Sequence, residues 1–254
     1  MITRPAPMER LRPPQRKPYT PEKPKGAKAM TIAAAIPYRE GVLVCADTQI
    51  NYPPGLKYSE LKVLPFPVEG IRAVFAYADQ VNLAHEIKEI LTTHLASLTQ
   101  AADVDISSAE FLDTVRVVTN DYGRLYVEQP LNFLLAIYPE KERPSVVFFD
   151  GKAVTLQHHK VVLIGCGNEP LTRFLVDKLY AFDMEENHAI VFGAYLARKA
   201  TQYIQGCAEP IDMALVKKDS IEIVSRDKIK AAFEAAEYAE NSLHYSLIKK
   251  PLEF

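Results

Sequence analysis

Apolar residues along this chain cluster in short runs, and the runs change period from one stretch to the next. The first pair, Thr31–Ile36 and Gly41–Ala46, flanks the tight-turn signal Arg39-Glu40-Gly41, so Thr31 to Asp47 reads as a β-hairpin with Thr31 at its outer end and Asp47 closing it. Leu61–Phe66 and Ile71–Tyr77 are rich in Val, Ile and Phe and are separated by Pro65, Pro67 and Gly70, which predicts two further strands. The period then lengthens. Asp79 opens a helix from Gln80 to about Leu98, with Val81, Ala84, Ile87, Ile90, Leu91 and Leu95 on one stripe. Ser107-Ser108-Ala109-Glu110 supplies a capping box for a second helix to about Tyr122, whose apolar face is Phe111, Leu112, Val115, Val118 and Tyr122.

Strand-like runs return at Asn132–Tyr138, Ser145–Asp150 and Lys160–Ile164. Asp150-Gly151 is a turn dipeptide, and Lys152–Leu156 a hairpin partner. Gly165-Cys166-Gly167-Asn168 breaks into a helix from about Glu169 to Tyr180, and a second helix, Glu185–Gln205, carries Ala189, Ala194, Ala197 and Ala200, small enough for close packing on a sheet. Asp212–Val216 and Ile221–Val224 form a last strand pair around Lys218-Asp219, and Ser225 or Asp227 caps a helix from Lys228 to about Leu247. The order is strands, two helices, strands, two helices, strands, helix. That is α+β with segregated layers rather than alternating βαβ units, and two antiparallel sheets packed face to face with helices outside both accommodate it.

With 254 residues, 48% of them hydrophobic, the chain has enough apolar material for one domain spanning 31–254. Residues 1–29 differ in kind: seven prolines stand among eight Lys/Arg and two Glu, a composition that does not form a packed core and reads as disordered. That tail carries +6, which leaves −8 of the net −2 for the rest. A basic tail suits nucleic acid, but two plainer readings of residues 1–30 are favoured. They form a propeptide cleaved before Thr31, or an extension from an upstream start codon with the true start at Met30. Cys45, Cys166 and Cys207 lie in or beside apolar segments without CxxC spacing, so neither a disulfide framework nor a zinc site is indicated, and a reducing cytoplasm fits. No apolar run approaches the roughly 18 residues of a membrane span.

The candidate chemistry lies at the hairpin's ends. An Asp closing an apolar strand is costly to bury unless it is paired, and the nearest basic residue in a strand-like context is Lys62. If Thr31 were the first residue of the mature chain, its α-amino group would take the hydroxyl proton. Lys62 would favour the alkoxide, and Asp47 would hold Lys62 charged and oriented. The plainer alternative, from these three residues alone, is a turn Asp with a surface Lys nearby.

Thr31 before a strand, Gly41-Val-Leu-Val-Cys-Ala-Asp47-Thr48-Gln49 and Leu61-Lys62-Val63 together resemble the opening of the proteasome β-type subunits and their bacterial two-component protease relatives. Asp47-Thr48-Gln49 is nearer the bacterial relatives. The Ala78-Asp79 helix start, the Ile164-Gly165-Cys166-Gly167 turn and the Ala-rich helix through Tyr195–Ala200 extend the resemblance to about residue 225. It implies the four-layer αββα sandwich of N-terminal-nucleophile hydrolases, two antiparallel sheets between helical layers. It also implies a threonine endopeptidase with Thr31, Asp47 and Lys62 as catalytic residues. No cofactor or metal is implied. The partners implied are further copies of the chain in a ring, a peptide or unfolded-protein substrate and an unfolding ATPase. The lysine stands about one residue closer than the family's usual interval, as a deletion around Pro53-Pro54-Gly55 would produce.

The sequence departs from the family's pattern around these residues. The family's Gly-Gly pair, one of which lends an oxyanion-hole N–H, is replaced in Val74-Phe75-Ala76-Tyr77-Ala78-Asp79. Ala76 or Tyr77 is then the candidate donor, with the Tyr77 ring narrowing the cleft. Cys166 stands where the family has a Ser, and Ile204 and Cys207 fall near its other polar positions. The alternative reading is therefore a catalytically inactive, proteasome-like structural subunit; a self-processing amidase acting on a small molecule is a third. Elsewhere, Gly165-Cys166-Gly167 is read as a strand–helix turn before a phosphate cradle, His158-His159 as a solvated hairpin pair before a metal site, Lys217-Lys218 as a turn, and the acids of Glu234–Glu240 as a solvated helix face.

Overall fold

Side chains alternate between the two faces of a strand, and that period sorts the apolar positions of this protein into three layers of core. The computed structural model describes residues 31–52, 56–68, 70–102, 106–123, 131–204 and 207–244. The readings made for residues 1–30, for Pro53-Pro54-Gly55 and for the last residues of the C-terminal helix lie outside these.

The strands are β1 (Ile32–Tyr38), β2 (Gly41–Asp47), β3 (Gln49–Tyr52), β4 (Leu56–Ser59), β5 (Val63–Pro65), β6 (Ala73–Asp79), β7 (Leu131–Ile137), β8 (Ser145–Phe149), β9 (Val154–Gln157), β10 (Val162–Gly165), β11 (Ile211–Lys217) and β12 (Ile221–Ile223). The helices are α1 (Val81–Ala102), α2 (Ser108–Gly123), α3 (Pro170–Leu179), α4 (Glu186–Tyr203) and α5 (Arg226–His244). One sheet runs β10-β1-β2-β11-β12, the other β5-β6-β7-β8-β9, and β3 and β4 form a separate ribbon. All pairs are antiparallel.

Phe75 and Tyr77 of β6 and Phe133 and Leu135 of β7 face α1 and α2, where Ala84, Ile87, Leu91, Phe111 and Val115 complete one core. The intervening residues, Val74, Ala76 and Ala78 of β6 and Leu134 and Ala136 of β7, face the first sheet and meet Ala33, Ala35, Val44, Ala46, Ala214 and Val216. On that sheet's far side Ala34, Ile36, Leu43, Met213 and Leu215 pack under α4 and α5 through Ala189, Ala194, Leu196, Ala197, Ile229 and Ala232. The fold is therefore four layers, helices outside two antiparallel sheets, as expected. Each large apolar side chain buried in it stabilises by about 1.5–3 kcal/mol. Gly193 lets α4 lie close on the sheet: a Cβ there would stand 2.7 Å from Leu43 Cδ2.

The local signals explain the element ends. Ser107 Oγ accepts from the Glu110 N–H at 3.2 Å while Glu110 Oε2 accepts from the Ser107 N–H at 2.9 Å, the reciprocal capping box. Ser225 rather than Asp227 caps α5, its Oγ accepting from the Lys228 N–H at 3.2 Å. The strand expected over Leu61–Phe66 is shorter: β5 is Val63–Pro65, and the Phe66 N–H still reaches the Ala73 carbonyl oxygen at 3.0 Å. The β3–β4 ribbon has no counterpart in the strand pattern read above, being short and mostly polar. Among the described residues no helix is long and apolar enough to cross a membrane.

Candidate active site

Thr31 precedes β1 and is fixed through its backbone. Its carbonyl oxygen accepts a hydrogen bond from the Cys166 N–H at 2.8 Å, in the 3₁₀ turn Cys166–Asn168 that follows β10. The residue before that turn, Gly165, has φ +64°, and a Cβ built there would collide with the Thr31 carbonyl and stand 2.9 Å from Ala78 Cβ. Only glycine suits both the dihedral and the close approach.

Asp47 ends β2 opposite Ile211 of β11, and its Oδ1 accepts the Ile32 N–H at 3.1 Å. Lys62 lies immediately before β5 and reaches from the second sheet to the first. Its Nζ is 2.8 Å from Thr31 Oγ1 and 3.0 Å from Asp47 Oδ1, and it also meets the Gln49 carbonyl oxygen. An ammonium has three N–H donors, and here three acceptors meet it.

The group is enclosed, with Asp47 and Lys62 at 0% and 1% exposure and Thr31 at 7%. Burial pushes the Asp47 carboxyl up to about 6, against the pull of Lys62 and of the Ile32 and Ala208 backbone N–H groups. Burial also lowers the Lys62 pKa, against the pull of Asp47 and Glu60. A lysine held below its ordinary value, in contact with a hydroxyl, is able to exchange a proton with it, and when charged to stabilise the oxygen anion.

Of the other residues singled out from the sequence, Ala76 faces the inter-sheet core and pairs with Val63, next to Lys62. Tyr77 is buried on the opposite face of β6, with its ring edge-on to His85 of α1, which corrects the expectation that the ring narrows the cleft. His85 Nε2 in turn stands 2.7 Å from Glu60 Oε1. Cys166 contributes its backbone N–H to Thr31, but its sulfur is not a free thiol. It is bonded to Cys207. This corrects the expectation of no disulfide: the partners are 41 residues apart without motif spacing, and only the path of the chain through α3 and α4 brings them together. Cys45 remains a buried free thiol.

Gly165, the Ala208 N–H and the Gln49 carbonyl were not singled out as site groups. The glycine was legible in principle from the Gly-Cys-Gly turn, whereas backbone donors and acceptors carry no side-chain signal.

No family model matches the chain, and no curated protein matches it. Among solved structures it is similar to the Anbu (Gly-1) mutant from Hyphomicrobium sp. strain MC1, with a TM-score of 0.70 at 15% identity, covering 88% of this chain and 100% of that one. At that identity the likeness is one of fold, and it agrees with the four layers described above.

Proposed function

We propose that this protein is a threonine-type amide hydrolase of the proteasome-related class, an endopeptidase with Thr31 as N-terminal nucleophile. The observation that carries the reading is the buried contact of Lys62 Nζ with Thr31 Oγ1 at 2.8 Å and with Asp47 Oδ1 at 3.0 Å. The fold likeness to the Anbu (Gly-1) mutant supports this reading.

In this mechanism, removal of the residues before Thr31 frees its α-amino group, whose ordinary pKa of about 8 suits proton transfer at neutral pH. Thr31 Oγ1 attacks the amide carbonyl carbon while its proton passes to that amine. Lys62, held by Asp47, offsets the negative charge on the threonine oxygen. A backbone N–H of β6, at Ala76 or Tyr77, donates to the developing oxyanion. The protonated amine then gives its proton to the leaving nitrogen, the C–N bond breaks, and an ester on Thr31 remains for water to hydrolyse. Subunits associate as a closed ring with the clefts inside, receiving unfolded chains from an ATPase partner.

Intact mass of the active protein and hydrolysis of a panel of fluorogenic peptides test this reading together. An active preparation that retains residues 1–30 overturns the mechanism, and equal turnover by wild type and Thr31→Ala overturns the activity. A second reading, a ring subunit without chemistry, is favoured by one observation: the family's hydroxyl position beside Thr31 is taken by a cysteine tied into a disulfide.

A further inference from the structure

Cys166 and Cys207 meet on the flank of Thr31, in a small cluster with Ile32, Ala200 and Ile204. Each belongs to a backbone segment that holds one member of the site. On one side, the Cys166 N–H binds the Thr31 carbonyl at 2.8 Å, and Thr172 Oγ1 fastens the same turn through the Gly167 carbonyl. On the other, the segment that starts at Cys207 runs beside Asp47, where the Ala208 N–H pulls the carboxyl's pKa down. It continues to Pro210, whose carbonyl accepts both the Thr48 N–H at 3.0 Å and Thr48 Oγ1 at 3.1 Å. The sulfur–sulfur bond therefore joins the clasp on Thr31 to the clasp on Thr48, the residue next to Asp47. The chain closed by it, 41 residues in separation, contains α3 and α4.

We propose that Cys166 and Cys207 are a reversible thiol–disulfide modification site that positions Thr31 against Asp47 and Lys62, assembled when oxidised and loosened when reduced. Its consequence for turnover rests on the threonine-hydrolase reading; the thiol chemistry and the positioning do not. The co-reactant is a low-molecular-weight disulfide. One cysteine thiolate attacks a sulfur of that disulfide, forming a mixed disulfide and releasing one small thiolate. The second cysteine thiolate attacks the protein-side sulfur, forming the Cys166–Cys207 bond and releasing the second small thiolate. The two cysteines lose two electrons and two protons, the external disulfide gains both, and a dithiol reverses the exchange. Cys45 stays outside this chemistry: it is buried under α4, and burial pushes its thiol up to about 12, away from the reactive thiolate.

The test equilibrates the full chain with oxidised glutathione or with dithiothreitol, denatures it in alkylating agent and weighs it, while native amide hydrogen exchange is followed in parallel. One alkylated thiol after oxidation and three after reduction are expected from the three cysteines present. Exchange at Ile32–Ala33 and at Asp47–Thr48 should be about tenfold faster in the reduced chain, as for loss of a local constraint. Cys207→Ser should show the fast exchange in both buffers. Three alkylated thiols in both buffers, or the same exchange in both, overturns the proposal, and the wild-type comparison stands even where the variant fails to fold. With a peptide substrate, oxidation should raise kcat about tenfold with KM unchanged, since a small misplacement of reacting groups costs rate rather than binding. Oxidation-dependent exchange with no hydrolysis in either buffer removes the hydrolase reading and leaves the thiol site standing. Hydrolysis with equal kcat in both buffers overturns the positioning role alone.

Discussion

Lys62 Nζ bridges Thr31 Oγ1 and Asp47 Oδ1 at 2.8 and 3.0 Å, so a side chain from one sheet links two residues at the end of a hairpin in the other. Its burial makes the pair costly to break and informative to mutate. Lys62→Ala leaves Asp47 enclosed without its counter-charge, and losing one partner of a buried pair costs about 3–5 kcal/mol. Urea denaturation should show that loss. Peptide turnover should fall about 10²–10³-fold, the scale for removing one stabiliser of a developing anion. Lys62→Arg should not restore it, because a planar, permanently charged guanidinium fits neither the space nor the proton exchange.

Asp47 predicts a pH dependence of stability. Its carboxyl is raised to about 6 in the folded chain from an ordinary 3.8. Between those values the folded state binds more protons at this group than the unfolded state, so its contribution to stability is fully present below the lower value. That contribution is lost as pH rises through about 6. Wild type should therefore show a falling component of stability over that interval, at most about 1.36 kcal/mol per pH unit, which Asp47→Asn removes. Turnover runs the other way. Protonating Asp47 releases Lys62, and kcat should fall as the pH drops through about 6 in wild type.

Periodicity made the layers legible. The alternation of β6, the helical stripe of α1 and the capping box at Ser107 are local signals that locate the elements, although β6 is Ala73–Asp79 where Ile71–Tyr77 is expected and α1 runs past Leu98 to Ala102. The same signals brought Thr31 and Asp47 into one hairpin. That Lys62 points into this hairpin from another sheet is a tertiary fact: the cost of burying Asp47 unpaired offered it beside the alternative of a surface lysine, and the resemblance favoured it. What stayed hidden has two physical causes. Backbone groups such as the Gln49 carbonyl and the Ala208 N–H are present at every residue, so nothing in the sequence marks them. The Cys166–Cys207 bond joins residues that only the wrap of α3 and α4 makes neighbours.

Gly165 offers a test of positioning without touching any reactive group. Gly165→Ala asks an L-residue to hold φ +64° and drives a methyl into the Thr31 carbonyl. The dihedral alone costs about 1–2 kcal/mol. The Thr31 backbone must also shift, breaking its bond with the Cys166 N–H. Thermal or urea unfolding should register the first effect. The second should appear as a kcat loss of about 10²-fold in the protein that remains folded. Unchanged kcat in a folded Gly165→Ala protein would mean that the clasp on Thr31 is not needed for turnover.

Thr31 itself separates chemistry from scaffold. Thr31→Ala deletes the oxygen that receives the Lys62 N–H, leaving one of that ammonium's three acceptors missing but Asp47 and Gln49 still in place. The fold should survive with a loss of about 1.5–3 kcal/mol, the scale of one hydrogen bond to a charged group. Thr31→Ser retains the hydroxyl and its contact, loses only a methyl, and should keep stability within about 1 kcal/mol of wild type. If Thr31 is the nucleophile, hydrolysis of fluorogenic peptides should vanish in the alanine variant and persist at a reduced rate in the serine variant. The reduction follows because the methyl that restricts the side chain's rotamers is gone. Light scattering on all three proteins checks that assembly is unchanged before rates are compared. Equal hydrolysis in the alanine variant and wild type, both folded and equally assembled, would leave the structural-subunit reading in place of the enzyme.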